Sequence, residues 1–269
     1  MNWIHSILAT VRFEMTHFLS LQRLAVTTIL ALFPPVMLSL IFAGFRFSSE
    51  TFEFPLFVTV LFVSIVCLLG MLLWATPNVY SELEGKSWIF VASRPRGRIS
   101  ILLGKYLASV LFGFTVCFAS ITGCLLVIQG MTGSLEHPLW LWFSMNLLYL
   151  IACFSYGAVY SLIGTMFYRR AMVVAAAYTV TSGIVLANVP AVVSRLTLRF
   201  HLQFIGFNWF GGEMGMSNRD INELLSHYSL TAASSSAWHL LWLAVAIICT
   251  LGVGVWVIIS REYMTSDET

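Results

Sequence analysis

The chain has 269 residues, 59% of them hydrophobic and only 10% charged, with a formal net charge of +2 at pH 7 and a mean hydropathy of +0.87. A water-soluble domain of this length needs far more charge to cover its surface, so the composition excludes one and points to lipid as the solvent. The small net charge carries no message about nucleic acid, and no nucleic-acid partner is expected, because the basic residues sort by membrane side rather than into one patch.

In chain order, residues 1–23 place Trp3, Ile4, Ile7, Leu8, Val11, Met15, Phe18 and Leu19 at helical spacing, with Arg12, Glu14 and His17 mostly elsewhere. This pattern predicts an amphipathic helix on the cytoplasmic membrane face; the start of the first span is the alternative. A cleavable signal is not expected, because the first apolar block begins only at Leu24 and is longer than a signal's apolar region.

Six apolar blocks follow, at 24–45, 55–76, 106–128, 139–167, 171–189 and 237–260. A membrane helix needs about 20 such residues to cross roughly 30 Å of hydrocarbon. None of the six holds Asp, Glu, Lys or Arg, and His239 is their one histidine. Backbone amides in lipid must be satisfied within the segment, and the blocks lack the alternation of barrel strands. The predicted fold is therefore an all-α membrane protein: one transmembrane domain over 1–269 with six helices. Ten of the fourteen basic residues then fall on the cytoplasmic side if both ends lie inside.

Within the spans, Pro34 and Pro35 remove two backbone donors and predict a kink in the first helix. Gly157, Gly164, Gly252 and Gly254 predict close helix packing. Asn146, Gln129, Asn188, Thr122 and Thr179 are expected to hydrogen-bond between helices rather than bind a substrate. Cys67, Cys117, Cys124, Cys153 and Cys249 read as small buried hydrophobes; no CxxC or Cys/His ligand spacing points to zinc or a disulfide framework, and no metal site is expected. Ser182 and His239 form the one nucleophile–base pair worth testing for an intramembrane hydrolase, and their expected depths do not match. Between the last two blocks, residues 190–236 carry Phe200, Phe204, Phe207, Trp209 and Phe210 among Arg195, Arg199 and His201. That segment predicts an amphipathic or re-entrant stretch at the outer interface.

Carriers driven by ion gradients usually keep an ionisable group near mid-membrane, and these spans contain no carboxylate. Energy is then expected from outside the membrane; an ion-gradient-driven secondary carrier, holding sodium through backbone carbonyls of broken helices, is the alternative, with a membrane enzyme or scaffold third. The chain itself offers no ATP site: Gly85, Lys86 and Ser87 mimic the end of a P-loop, but Tyr80 stands where its first Gly belongs. Attention falls on the cytoplasmic loop 77–105. Its 81–92 portion can form a short helix, with Glu82 and Glu84 near the favourable N-terminus and Trp88 near the end, before Pro95. Such a helix suits docking into a groove on another protein; an ordinary positive-inside loop with an interfacial Trp fits equally.

The loop resembles the cytoplasmic loop of the second, export-type family of ATP-binding-cassette permeases. An acidic pair, a Gly and a small hydroxyl residue lead to a Pro, a basic residue and a Gly-Lys opening the third span. Glu82, Glu84, Gly85, Ser87, Pro95, Arg98, Gly104 and Lys105 occupy those places. Ser87 stands where the family often carries Thr, and Lys86 separates it from Gly85. The layout of interfacial helix, six spans and outer amphipathic segment is also similar. The resemblance implies that Glu82, Glu84, Gly85, Ser87, Trp88, Pro95, Arg98 and Lys105 form the coupling interface with a separate ATPase subunit. That partner would hold ATP and Mg²⁺, no cofactor being expected in this chain. A second permease chain, an identical copy or a paralogue, would complete the path. The implied location is the cell membrane, as a multi-pass protein of the bacterial cytoplasmic membrane.

Overall fold

In a computed structural model the described residues are 3–18, 20–44, 53–78, 82, 97–132, 137–167, 169–182, 197–211 and 236–260. They form eight α-helices: α1 (Trp3–Phe18), α2 (Leu21–Gly44), α3 (Glu53–Ala75), α4 (Gly97–Thr132), α5 (Pro138–Met166), α6 (Ala171–Val180), α7 (Leu198–Phe210) and α8 (Ser236–Ser260). A 3₁₀ turn, Thr76–Asn78, follows α3, and the described residues contain no strand. Five helices, α2, α3, α4, α5 and α8, are long and apolar enough to cross a membrane. The chain is an all-α membrane protein.

Of the fifth expected span, 171–189, the described part is α6 and the two residues after it; 183–189 lie outside the described residues. The third span differs from its expected start. Its apolar block opens at Tyr106, yet α4 begins nine residues earlier at Gly97 and runs for 36 residues. At 1.5 Å per residue that is about 54 Å, well beyond the hydrocarbon thickness, so one end of α4 stands out of the membrane. The 77–105 segment is thus helical from Gly97 onward. Composition hid this, because Arg98 and Lys105 mark the same stretch as polar.

Helix α5 is the centre of the bundle. Its membrane-spanning stretch is 61% buried, against 17% for that of α2 and 22% for that of α8. The two peripheral helices carry exposed Ile29, Leu32, Val36 and Leu40, and Val245, Ile248, Val253 and Trp256. In lipid such surfaces cost nothing, whereas in water they would be a liability. Helix α4 connects the rest, packing against α1, α2, α3 and α5, while α7 lies against α5 and α8.

With hydrocarbon on both sides of the comparison, packing and interhelical hydrogen bonds hold the bundle together rather than water exclusion. The Tyr106 hydroxyl donates to the Phe154 carbonyl at 3.0 Å, joining α4 to α5. Tyr149 donates to the Val60 carbonyl at 2.7 Å, joining α5 to α3. Thr122 accepts from the Trp142 indole at 3.1 Å, and Thr179 shares a 2.7 Å hydrogen bond with Tyr160. Both threonines serve the interhelical role expected of them. Asn146 instead donates to the Trp142 carbonyl of its own helix, and its side-chain oxygen is buried without a hydrogen-bond partner among the described residues. Gln129 is exposed and Asn188 lies outside the described residues.

Helix α2 continues through Pro34 and Pro35 without a break. Pro35 has no N–H to give the Ala31 carbonyl one turn back, but the Ser120 hydroxyl of α4 donates to that oxygen at 3.0 Å. Gly123, one turn along α4, leaves room for the proline ring: a Cβ there would lie 3.1 Å from Pro35 Cγ. Gly164 similarly lets α5 pass against the 3₁₀ turn, where a Cβ would overlap the Thr76 carbonyl. A Cβ on Gly157 would stand 3.1 Å from Val110 and 3.3 Å from Tyr106, and one on Gly254 would meet Leu102 at an ordinary 3.6 Å. Gly252 has open space around it, so close packing does not explain that glycine.

Candidate functional site

One charged cluster is buried at the end of the bundle where α1 crosses α4. Lys105, in the third turn of α4, has its Nζ 2.7 Å from Glu82 Oε1 and 3.1 Å from Glu14 Oε1. The Lys105 side chain is 6% exposed, Glu14 10% and Glu82 14%. A lysine this buried is tolerated only if paired, since an uncompensated ammonium would carry a desolvation cost of several kcal/mol. Among the described residues, two carboxylates share this one ammonium, so the trio carries one negative charge in excess.

The local structure sets up this contact. Gly104 precedes Lys105, and a Cβ on it would fall 2.6 Å from Thr10 Cβ and 3.3 Å from the Ile7 carbonyl. The missing side chain is what allows α1 to lie directly on α4, bringing Glu14 within reach of Lys105. One turn from each other along α1, Ile7, Val11 and Met15 turn inward with Glu14, while Leu8 and Phe13 remain exposed. Val11 and Met15 pack on the cluster of Val66, Trp74, Ala108, Phe112 and Val116. Trp74 and Phe112 meet edge-on at 4.8 Å there. Sequence periodicity assigned Glu14 to the polar side of α1. It is instead buried, because an opposite charge waits on the neighbouring helix.

Of the residues singled out for the coupling interface, Glu82 and Lys105 therefore meet directly. Arg98, in the first turn of α4, is a poor match for that helix's own N-terminal dipole. Its guanidinium reaches the last turn of α8 and donates to the Ile259 carbonyl at 3.4 Å, at a helix end that favours a cation. Glu84, Gly85, Ser87, Trp88 and Pro95 lie outside the described residues.

Two clusters escaped the sequence. His201 of α7 and His239 of α8 face each other with Nδ1 2.7 Å from Nδ1, so one ring donates and the other accepts. Both are buried. His201 stacks on Trp242 with centroids 4.1 Å apart, and Phe204 lies 4.0 Å from the His239 ring. This aromatic group fastens α7 to α8. Ser182 lies elsewhere, lining a small cavity with Tyr156, Tyr178 and Arg199. The second cluster gathers Cys67, Cys117 and Cys153 from α3, α4 and α5, three helices whose cysteines have no telling spacing in sequence.

Comparison of the sequence with protein-family models and with curated proteins finds no match.

Proposed function

We propose that this chain is the membrane-spanning permease subunit of an ATP-driven transporter of the ATP-binding-cassette export type. A separate ATPase chain docks on the 77–105 segment, supplying ATP hydrolysis and Mg²⁺, and a second permease copy completes the path. The bilayer is the bacterial cytoplasmic membrane, with the Lys105 end of the bundle facing the cytoplasm.

The observation that carries this reading is the double ion pair of Lys105. A docking loop does mechanical work only if its displacement reaches the helices. Glu82 ties the loop to α4, and Glu14 ties α1 to the same ammonium. A push on the loop is thereby transmitted to the longest helix and to the interfacial helix together, and α4 bears on α2, α3 and α5. Packed cores convert such small displacements into switches between discrete arrangements rather than smooth deformation.

A proton-driven carrier is the competing reading, and the buried His201–His239 pair is the feature that favours it. Trp88→Ala combined with Glu84→Ala separates the two. On the coupling reading the variant inserts normally but loses ATPase binding, or loses transport while hydrolysis continues. ATPase binding and ATP-driven transport at wild-type levels would remove the docking role from this loop. Transport driven by a pH gradient without nucleotide would favour the carrier.

A further inference from the structure

We infer that Cys67, Cys117 and Cys153 form a binding site for one monovalent soft cation, Cu(I), inside the helical bundle. The three Sγ atoms lie within 4.8 Å of one another, and Cys67 Sγ is 3.7 Å from Cys153 Sγ. Three sulfurs around one ion in a plane, each about 2.3 Å from it, must stand about 4.0 Å apart. The Cys67–Cys153 pair, at 3.7 Å, already stands close to that spacing, and no pair of the three is farther apart than 4.8 Å before any ion arrives.

The donor set selects the ion. All three thiols are at most 2% exposed. Met71, one helical turn after Cys67 on the same face of α3, is fully buried as well. The space that a Cβ on Gly113 would occupy touches both the Met71 thioether and, at 3.9 Å, Cys153 Sγ, so the thioether borders the thiol cluster. Zinc takes four ligands drawn from Cys, His and carboxylates, and among the described residues this cluster offers three cysteines and no such fourth group. Thiolate with thioether is the soft set that suits Cu(I), which accepts three-coordination.

Charge sets the proton balance. As the cation enters, at least one thiol proton leaves for water, and no electron moves. Loss of one proton per cation keeps the dry core neutral, which favours a monovalent ion over a site that must carry net charge in hydrocarbon. A bound ion would pin α3, α4 and α5 together near their midpoints. The site is independent of what drives the protein, because its donors lie apart from the Lys105 cluster.

The test is titration of the full chain, purified in detergent under anaerobic reducing conditions, with Cu(I) buffered by a chromogenic chelator. The expected result is one Cu(I) held per chain, with an X-ray absorption shell of sulfur at about 2.3 Å. The variant Cys67→Ser, Cys117→Ser, Cys153→Ser should lose the ion, while Cys124→Ser with Cys249→Ser should keep it. No Cu(I) retained against the chelator, a first shell of nitrogen or oxygen, or full retention by the triple variant would each overturn the site. The absorption measurement on the unaltered chain decides the matter even if the triple variant does not fold.

Discussion

Lys105 stands 2.7 Å from Glu82 and 3.1 Å from Glu14, one ammonium holding two carboxylates that belong to different segments of the chain. The arrangement is asymmetric in its consequences. Removing a carboxylate leaves a balanced pair, whereas removing the ammonium leaves two buried negative charges facing each other.

Lys105→Met should therefore be far more damaging than either Glu14→Gln or Glu82→Gln. Breaking a buried pair by deleting one partner typically costs about 3–5 kcal/mol. The triple variant Lys105→Met, Glu14→Gln, Glu82→Gln should recover most of that loss, since the trio then holds no unpaired charge. Thermal unfolding in detergent, run as a mutant cycle, checks this; a triple variant as unstable as Lys105→Met would contradict it.

Gly104→Ala places a Cβ against Thr10 Cβ and the Ile7 carbonyl, neither of which can swing aside. Overpacking of this kind costs about 1–3 kcal/mol, and better helix propensity returns about 1 kcal/mol. The net effect should be lifting of α1 from α4, read as faster hydrogen exchange across α1. Adding Thr10→Gly removes the closer of the two contacts and leaves the Ile7 carbonyl at 3.3 Å, so it should restore part of the protection.

Ser120→Ala leaves the Ala31 carbonyl without the donor that replaces the missing Pro35 amide. An acceptor orphaned away from water costs about 1–3 kcal/mol, and this half-buried one should fall toward the lower end. Pro35→Ala in the same background should rescue stability, because the backbone amide restored by that substitution can donate to the Ala31 carbonyl within α2. A Ser120→Ala loss that Pro35→Ala does not reverse would show that the hydroxyl acts elsewhere.

The membrane fold was legible because hydrocarbon imposes one demand everywhere: long apolar blocks without charge must be helices. Glu82 and Lys105 were legible as members of one loop pattern, though not as partners. What the sequence concealed in each case was a neighbour from another helix. Glu14 looks solvent-facing by periodicity until Lys105 lies opposite. His201 and His239 are separated by a long stretch of chain, and the three clustered cysteines come from three spans. The start of α4 was misplaced for a related reason. Hydropathy locates where lipid begins, not where the backbone becomes helical, and α4 is helical well before its apolar block.

On the proposed reading, motive force enters through the Lys105 end from a nucleotide-hydrolysing partner. The most direct measurement is isolation of the full chain from its native membrane in mild detergent, with the associated chains sequenced and ATP hydrolysis assayed before reconstitution into liposomes. The expected result is a stoichiometric partner carrying a complete P-loop and solute movement that requires ATP. Solute movement by the isolated chain under an ion gradient, with no partner and no nucleotide, would contradict it.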